Sequence, residues 1–357
     1  MNNRVNFPTV IRKTVTVNSF SHGISKGVNK RLAGIDNLIT SYNFDYSDGS
    51  LKPGVSIAPW GAFNARALSG VIMNAIYFYP YYNHQVGARE DRVVIYASDG
   101  YLYVSKLNGT FVKLGAIHFK TKPQAIPYNY LDNDVMLFSS PENGLAILHA
   151  EELTLVENAP PITSLCIHNE RLFVTVSGEG NSLWFSDDFN PTNWAISLDE
   201  AGFIEFADNK GKLLRVVSFL GSVYAFREYG ITRVNAFANQ NEFTADNLFG
   251  SQGKIIGSSI TDCGDYIVML TSTGFYKFNG LDAVKILGEY DQNVLGAQND
   301  NAKGVLHGTT LYFRLNMNIE GKTENVVLVY NTLEKTSYLI RGITVKDFCF
   351  AWQFKQA

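Results

Sequence analysis

From about residue 90 onward, apolar and polar positions alternate in short runs separated by turn residues. The runs are rich in β-branched and aromatic residues, and Gly, Asp, Asn or Ser follows each of them. That pattern is typical of paired β-strands joined by tight turns, and helical periodicity is almost absent. The chain is therefore predicted to be all-β. The repeated units are RVVIYASDGYLYVSKLNGTFVKL, NDVMLFSSPENGLAILHAEELTLV, ERLFVTVSGEGNSLWFSDD, GSVYAFREYGITRV, GDYIVMLTSTGFYKFNGLDAVKIL and GTTLYFRLNMNIEGKTENVVLVYNTLEKTSYL, and a shortened one begins at KDFCFAWQ.

The units recur at a nearly constant spacing of 37 to 51 residues, about 42 on average. A four-stranded blade of a β-propeller has about that length. One blade cannot bury both faces of its sheet, whereas a closed ring of blades buries every face against a neighbour. The spacing predicts a β-propeller of about six or seven blades over residues 70–357. A run of stacked β-sandwiches is the alternative, and the steady period and the lack of Pro-rich linkers argue against it. The positions used to align the units are Val93, Val135, Leu172, Val223, Ile267, Leu311 and Phe348, and those from Val135 to Leu311 are expected near inner strands.

Residues 1–69 differ from the repeat and are predicted to form an extended N-terminal arm and lead-in segment. Because the last unit is shortened, a strand from elsewhere is expected to close the ring. The segment VNFPTVIRKTVTV (5–17) is one candidate, and it is equally a candidate for reaching a neighbouring subunit. In the second case Val15, Val17 and Phe20 are the expected contacts, added as a strand to a blade edge.

Composition limits the classes of function. Hydrophobic residues make up 46% of the chain and aromatic residues 13%, which is ample for a large core. The net charge of −3 supplies no global basic field of the kind that grips nucleic acid. No apolar run is long enough for a membrane helix, so no membrane anchor is expected. Three widely spaced cysteines suggest neither a disulfide framework nor a zinc site.

The stretch SLWFSDDFNPTNW (182–194) contains the one candidate motif. It resembles the Asp-box corner between the outer strands of a propeller blade, Ser-x-Asp-x-Gly-x-Thr-Trp. Asn190 stands where that motif has Gly, and Asn193 adds one residue before the Trp. In such a corner the Asp accepts turn N–H groups and the Trp packs between sheets. The residues that follow the motif are Ser186, Asp188, Asn190, Thr192 and Trp194.

The adjacent carboxylates Asp187 and Asp188 are predicted to be structural. Neighbouring strand residues point to opposite faces, whereas glycosidases need two carboxyl groups that converge across a sugar. The six histidines show no metal-binding spacing, so neither a catalytic site, a metal nor a cofactor is predicted.

Several pieces of the chain together resemble a bacteriophage family, the packaged-DNA stabilisation or tail nozzle proteins. The strongest stretch covers 169–234, and the N-terminal match is weaker. The matching pieces are SFSHGISKGVN (19–29), YSDGSLKPG (46–54), NERLFVTVSG (169–178), SLWFSDDFNPTNW and AGFIEFADNKGKLLRVVSFLGSVYAFREYGITRV (201–234).

The resemblance implies a non-enzymatic virion protein that is made in the host bacterial cytoplasm. It would form a homo-oligomeric ring around the DNA exit channel, meet other tail or connector proteins, help retain packaged DNA and touch DNA only passively in transit. The alternative is a carbohydrate-binding or carbohydrate-active propeller, with Trp60 and Trp352 as unassigned aromatic platforms. A third reading is a scaffolding propeller that binds peptides.

Overall fold

The computed structural model of the protein describes residues 24, 38, 41–55, 68 and 70–351, except 198, 199, 238 and 252. A short lead-in hairpin pairs β1 (Phe44–Asp45) with β2 (Lys52–Pro53). Six four-stranded antiparallel sheets then follow one another along the chain. The predicted all-β propeller is therefore confirmed, with six blades.

Each blade is built from consecutive strands. Blade 1 contains β3 (Met73–Tyr79), an inserted hairpin of β4 (Tyr82–Asn83) and β5 (Ala88–Arg89), then β6 (Arg92–Ala97), β7 (Leu102–Ser105) and β8 (Phe111–Lys113). Blade 2 contains β9 (Gln124–Tyr130), β10 (Asn133–Ser140), β11 (Gly144–His149) and β12 (Glu152–Leu155). Blade 3 contains β13 (Ile162–His168), β14 (Arg171–Val176), β15 (Glu179–Phe185) and β16 (Gly202–Glu205).

The second half of the ring repeats this plan. Blade 4 contains β17 (Leu213–Phe219), β18 (Ser222–Arg227), β19 (Gly230–Asn235) and β20 (Thr244–Gly250). Blade 5 contains β21 (Thr261–Asp262), β22 (Ile267–Thr271), β23 (Gly274–Phe278) and β24 (Ala283–Ile286). Blade 6 contains β25 (Lys303–His307), β26 (Thr310–Ile319), β27 (Lys322–Asn331) and β28 (Thr336–Ile340). The short helix α1 (Asp291–Val294) and three 3-10 turns, Gln240–Glu242, Gly257–Ser259 and Gly288–Tyr290, lie between strands.

The first strand of each blade is the innermost. This is shown by contacts between the first strands of neighbouring blades, for example between β13 and β17 and between β21 and β25. Six of the seven aligned positions, from Val93 to Leu311, lie one strand further out, on the second strand of their blades. Phe348 lies in no strand. The prediction that the positions from Val135 to Leu311 mark inner strands is thus wrong by one strand. The second strands were the easiest to detect because both of their faces are covered: β6, β14, β18 and β22 are buried along their whole length.

Five of the six interfaces between blades are continuous apolar cores. Between blades 1 and 2, for example, Val94 and Tyr96 belong to the same cluster as Met136 and Phe138. Corresponding clusters join blades 2 and 3, 3 and 4, 4 and 5, and 5 and 6. Burial of apolar area at each interface supplies most of the favourable free energy of stacking.

The interface between blades 6 and 1, called the seam below, is built differently. Among the described residues, no apolar cluster contains buried members from both blades. Val327 and Val329 of blade 6 pack with Tyr46 of the lead-in and with Phe348. Val93 and Ile95 of blade 1 pack in a separate cluster with Leu68 and others. Other chain segments therefore fill the seam.

A buried carboxylate joins the two sides of the seam. Asp347, whose side chain is only 2% exposed, accepts from Lys303 Nζ of β25 at 2.7 Å and from Lys122 Nζ, between blades 1 and 2, at 2.9 Å. Its other oxygen accepts the backbone N–H of Ile76 in β3 at 3.1 Å. Lys303 also donates to the carbonyl of Phe348 at 2.7 Å. These bonds link the inner strands of the last and first blades.

The seam corrects one expectation about closure. All four strands of blade 6 come from consecutive residues, so in the described part of the chain no strand from elsewhere completes it. Residues around Phe348, aligned as the start of a seventh unit, have no strand structure and lie at the seam. The segment 5–17 lies outside the described residues.

We expect Asp347→Asn to lower the free energy of unfolding by about 2 kcal/mol, because two partly buried ammonium groups would lose their counter-charge. Urea unfolding followed by tryptophan fluorescence measures the change. The matched control is Asp246→Asn, which removes a half-exposed carboxylate paired with Arg233 at 2.9 Å and is expected to cost less than about 0.5 kcal/mol. Equal effects of the two substitutions would contradict the role given to Asp347.

The same carboxylate predicts a pH dependence. Burial by itself would raise the pKa of Asp347, but Lys303 and Lys122 hold it below the ordinary value of 3.8. Near that value the unfolded chain binds more protons at this site than the folded one does. The stabilisation is therefore fully present above about pH 4 and is lost as pH falls through the folded pKa. The stability difference between wild type and Asp347→Asn should shrink below about pH 4, and a constant difference down to pH 2 would contradict this.

Candidate functional site

The corner at 186–201 connects the two outer strands of blade 3, as the sequence motif predicts. Ser186 is fully buried, and its hydroxyl accepts the N–H of Leu172 at 3.0 Å while it donates to the carbonyl of Asp187 at 2.8 Å. Buried Arg171 donates to the carbonyls of Ser186 at 3.1 Å and Glu200 at 2.7 Å. The corner is thus fastened to the second strand of its own blade.

The structure assigns the turn role to the first carboxylate of the pair. Asp187 accepts the N–H of Asp188 at 2.9 Å and the side-chain amide of Asn193 at 3.1 Å. Asp188 is 46% exposed, and its carboxylate lies 3.7 Å from Arg171. The expectation that Asp188 accepts the turn N–H groups is therefore corrected. The inserted Asn193 accounts for the change, since its side chain reaches back to Asp187.

The remaining motif residues lie as the motif implies. Asn190 Oδ1 accepts both the N–H and the hydroxyl of Thr192, at 3.2 and 2.7 Å, in an Asx turn. Trp194 is buried in the core between blades 2 and 3, and its indole N–H donates to the carbonyl of Pro191 at 3.0 Å. Each of these groups forms a contact within the corner. These contacts give each of the residues a structural role in the corner.

The arm residues Val15, Val17 and Phe20 lie outside the described residues, as do Trp60 and Trp352.

Residues 41–55 of the lead-in segment are described, and they bind the outer edge of blade 6. Tyr42 pairs in parallel with Leu339, and the N–H of Asn43 donates to the Leu339 carbonyl at 2.8 Å. Tyr46 is 1% exposed; its hydroxyl donates to the carbonyl of Ser337 at 2.7 Å and accepts that residue's N–H at 3.2 Å.

A cavity of about 620 Å³ lies at the centre of the ring, lined from all six blades or their connections. Sequence analysis did not predict it. Its lining includes five cationic residues and no carboxylate: the cationic residues, called the central cations below, are Lys122, Arg215, Lys303, Arg314 and Lys346. They are scattered over more than 220 positions of the chain, so no local motif marks them. Only a correct assignment of the first strands as the inner ones would have placed Arg215 and Lys303 there.

Two of the central cations have unused donors. The side chain of Arg215 forms no hydrogen bond or ion pair within the described residues, and burial lowers the pKa of its guanidinium. Arg314 donates to the carbonyl of Asn301 at 2.8 Å, yet its Nε is buried with no partner there. Burial likewise lowers the pKa of Lys122, and the nearby Lys303 and Arg314 act in the same direction. The cavity is therefore electropositive.

The described residues contain no group of three or more His, Cys, Asp or Glu side chains placed to hold a metal ion. His168 contacts Ser218 at 2.9 Å between blades 3 and 4, and burial lowers its pKa. Cys166, Cys263 and Cys349 are free thiols. No helix of the described chain is both long and apolar enough to cross a membrane.

Comparison with known proteins supports the fold alone. No protein-family model matches the chain, and no curated protein matches it significantly. Among solved structures, BBS1N in complex with ARL6DN is 10% identical, with a TM-score of 0.51, over 78% of this chain and 85% of that one. PorZ, a surface component of the type-IX secretion system of Porphyromonas gingivalis, is 11% identical, with a TM-score of 0.48, over 78% of this chain and only 40% of its own.

A third similar structure is a quinoprotein alcohol dehydrogenase-like protein from Bacteroides thetaiotaomicron. It is 12% identical, with a TM-score of 0.46, over 74% of this chain and 65% of its own. The chain thus spans 40% and 65% of the length of the last two proteins. At these identities the likeness concerns the propeller fold and carries no function.

Three substitutions in the corner are expected to lower the free energy of unfolding by different amounts. Ser186→Ala leaves the buried N–H of Leu172 without its acceptor and should cost about 2 kcal/mol, Asp187→Ala about 1 kcal/mol, and exposed Asp188→Ala less than about 0.5 kcal/mol. Urea unfolding measures all three, and Asp188→Ala is the matched control for Asp187→Ala. A larger loss from Asp188→Ala than from Asp187→Ala would reverse the assignment of the turn role.

Proposed function

We propose that the protein is a non-catalytic structural component of a bacteriophage virion, one that assembles as a homo-oligomeric ring around the DNA path at the tail or head-to-tail junction and helps retain packaged DNA. The sequence resemblance supports the virion role. The single structural observation that carries the assembly step is the pairing of residues 41–43 with the outer strand of blade 6.

This pairing shows how a segment of the chain binds a blade edge. Ser41 accepts the N–H of Leu339 at 3.2 Å, and Asn43 donates to the same residue, so the lead-in adds to β28 through its backbone. Backbone pairing of this kind adds a strand to any exposed sheet edge. In the described structure β12 and β20 are outermost strands with mostly exposed residues, and half of the residues of the outermost strand β24 are exposed. Such edges offer unpaired N–H and C=O groups to the arm of a neighbour.

Arm-to-edge contacts of this type are heterologous, since the arm of one subunit meets a blade of the next. Repeating one heterologous contact produces a closed ring when the rotation between subunits divides a full turn. Val15, Val17 and Phe20 provide the apolar side chains of the contact, while backbone hydrogen bonds fix its register. The partners above and below the ring would be other tail or connector proteins.

In this proposal DNA passes through the ring of subunits and not through the centre of one propeller. A sphere of 620 Å³ is only about 11 Å across, less than the roughly 12 Å width of the major groove alone of B-form DNA. A net charge of −3 suits a surface along which DNA slides during passage, because each neutralised phosphate would raise the affinity of the surface for the DNA backbone.

Deletion of residues 1–20 tests the assembly step. We expect a folded propeller with unchanged far-UV circular dichroism that no longer enters the virion and no longer forms rings in size-exclusion chromatography with light scattering. Quantitative mass spectrometry of purified particles measures its copy number. Incorporation at the wild-type copy number would refute the proposed contact, and so would outright unfolding, since the segment would then belong to its own propeller.

A pair of point variants sharpens the same test. Val17→Asp places a charge in the proposed apolar contact and should reduce ring formation at least about tenfold, which corresponds to about 1.4 kcal/mol. The control Asn18→Asp adds the same charge at an adjacent polar position and should assemble as wild type does. If the two variants assemble equally well, Val17 is not part of the contact.

A further inference from the structure

The central cations form an excess of positive charge that the described protein does not neutralise. Five cationic side chains line the cavity, and the one carboxylate bonded to any of them is Asp347, which contacts Lys303 and Lys122. Arg215, Arg314 and Lys346 have no carboxylate partner in the described structure. Formally, four positive charges remain in excess around one cavity.

The excess positive charge lowers the stability of the folded protein where the cationic groups are partly removed from water. Transfer of a charge from water into a protein interior is unfavourable unless an opposite charge or hydrogen-bond acceptors replace the lost hydration. Arg215 illustrates the cost: it reaches the cavity from β17, and burial lowers the pKa of its guanidinium. The buried Nε of Arg314 faces the same problem. An acceptor-rich anion in the cavity would satisfy both groups.

The size and donor set of the cavity define the class of anion. About 620 Å³ falls within the range of small-molecule sites, roughly 300 to 1,000 Å³. Guanidinium groups present planar pairs of N–H donors that match phosphate and carboxylate oxygens, and lysines add point charges. Asn74, Gln124 and Ser258 supply neutral polar groups to the same lining. A compact ligand with several negative charges fits these features, whereas a polymer duplex does not.

We propose that the ring centre is a binding site for one small, multiply charged phosphate compound, held by Arg215 and Arg314 together with the lysines of the cavity. This site is independent of the proposed virion role. Phosphate fits better than carboxylate because one compact phosphoryl group offers three acceptor oxygens to donors that converge from several blades. Binding would also draw blades 4 and 6 towards a common counter-charge and so stabilise the ring.

Isothermal titration calorimetry of the full chain with sodium tripolyphosphate tests the site. We expect saturable binding of one anion per chain and a rise in melting temperature that grows with anion concentration, as for any ligand that binds only the folded state. Citrate, which carries its charges on carboxylates, should bind at least about tenfold more weakly. Equal affinity for citrate would overturn the preference for phosphate, and the absence of saturable binding by either anion would overturn the site.

Two variants of blade 4 locate the binding. Arg215→Gln removes a cation whose side chain has no partner among the described residues and should weaken tripolyphosphate binding at least about tenfold. The matched control, Arg233→Gln, makes the same change in the same blade at a residue paired with Asp246 and outside the cavity. It should bind as wild type does. If both variants bind equally well, or if both lose affinity equally, the anion is held by general surface charge and the assignment fails.

The melting temperature measured without anion provides a further test of the site. In the absence of anion, Arg215→Gln should melt at the same temperature as wild type or higher, because it relieves an uncompensated charge in the cavity. A clear fall in its melting temperature would show that Arg215 stabilises the empty ring, which contradicts the proposal that its partner is an external anion.

Discussion

The carboxylate of Asp347 meets a constraint that every propeller faces, which is that its last blade must be joined to its first. Five interfaces in this ring are continuous apolar cores, but the seam between blades 6 and 1 is filled by other segments of the chain. Asp347 bonds to Lys303 of the last blade, to Lys122 beyond the first blade and to the backbone of Ile76. Closure of the ring thus adds charge and hydrogen bonds to the apolar packing of these segments.

The same carboxylate connects closure to the character of the ring centre. It forms ion pairs with Lys122 and Lys303, whereas Arg215, Arg314 and Lys346 form no ion pair with a carboxylate in the described structure. A negative ligand at the centre would compete with Asp347 for the two lysines only weakly, because the arginines offer free donors. The seam and the cavity are therefore one electrostatic system, in which closure uses some of the available positive charge and leaves the rest exposed to the cavity.

Much of the fold was predictable because it depends on short sequence patterns within each blade. Second strands buried on both faces produce apolar runs such as RLFVTV, and their regular spacing gave the propeller and a blade count of six or seven. The corner was found because Asn190, Thr192 and Trp194 form contacts over a few residues. The motif alignment assigned the turn role to Asp188, and the structure gives it to Asp187, because the choice depends on where the side chain of the inserted Asn193 points.

Features that depend on contacts between distant parts of the chain were not predicted, because no local sequence pattern marks them. Phe348 was aligned with second strands because its neighbours are apolar, yet it packs at the seam without strand structure. The central cations converge only when the ring closes, so their spacing along the chain carries no signal. Whether the arm residues Val15, Val17 and Phe20 bind a neighbour stays a prediction.

The consecutive construction of the blades has a consequence for the order of folding. Strands within a blade are adjacent in the chain, whereas the bond across the seam from Ile76 to Asp347 joins residues 271 positions apart. Relative to a contact between neighbouring blades, loop closure at such separations costs about 1.7 kcal/mol more. Contacts of low sequence separation form early and those of high separation late. We therefore expect the contacts of the seam to form after those within and between neighbouring blades, and to open first when the ring unfolds.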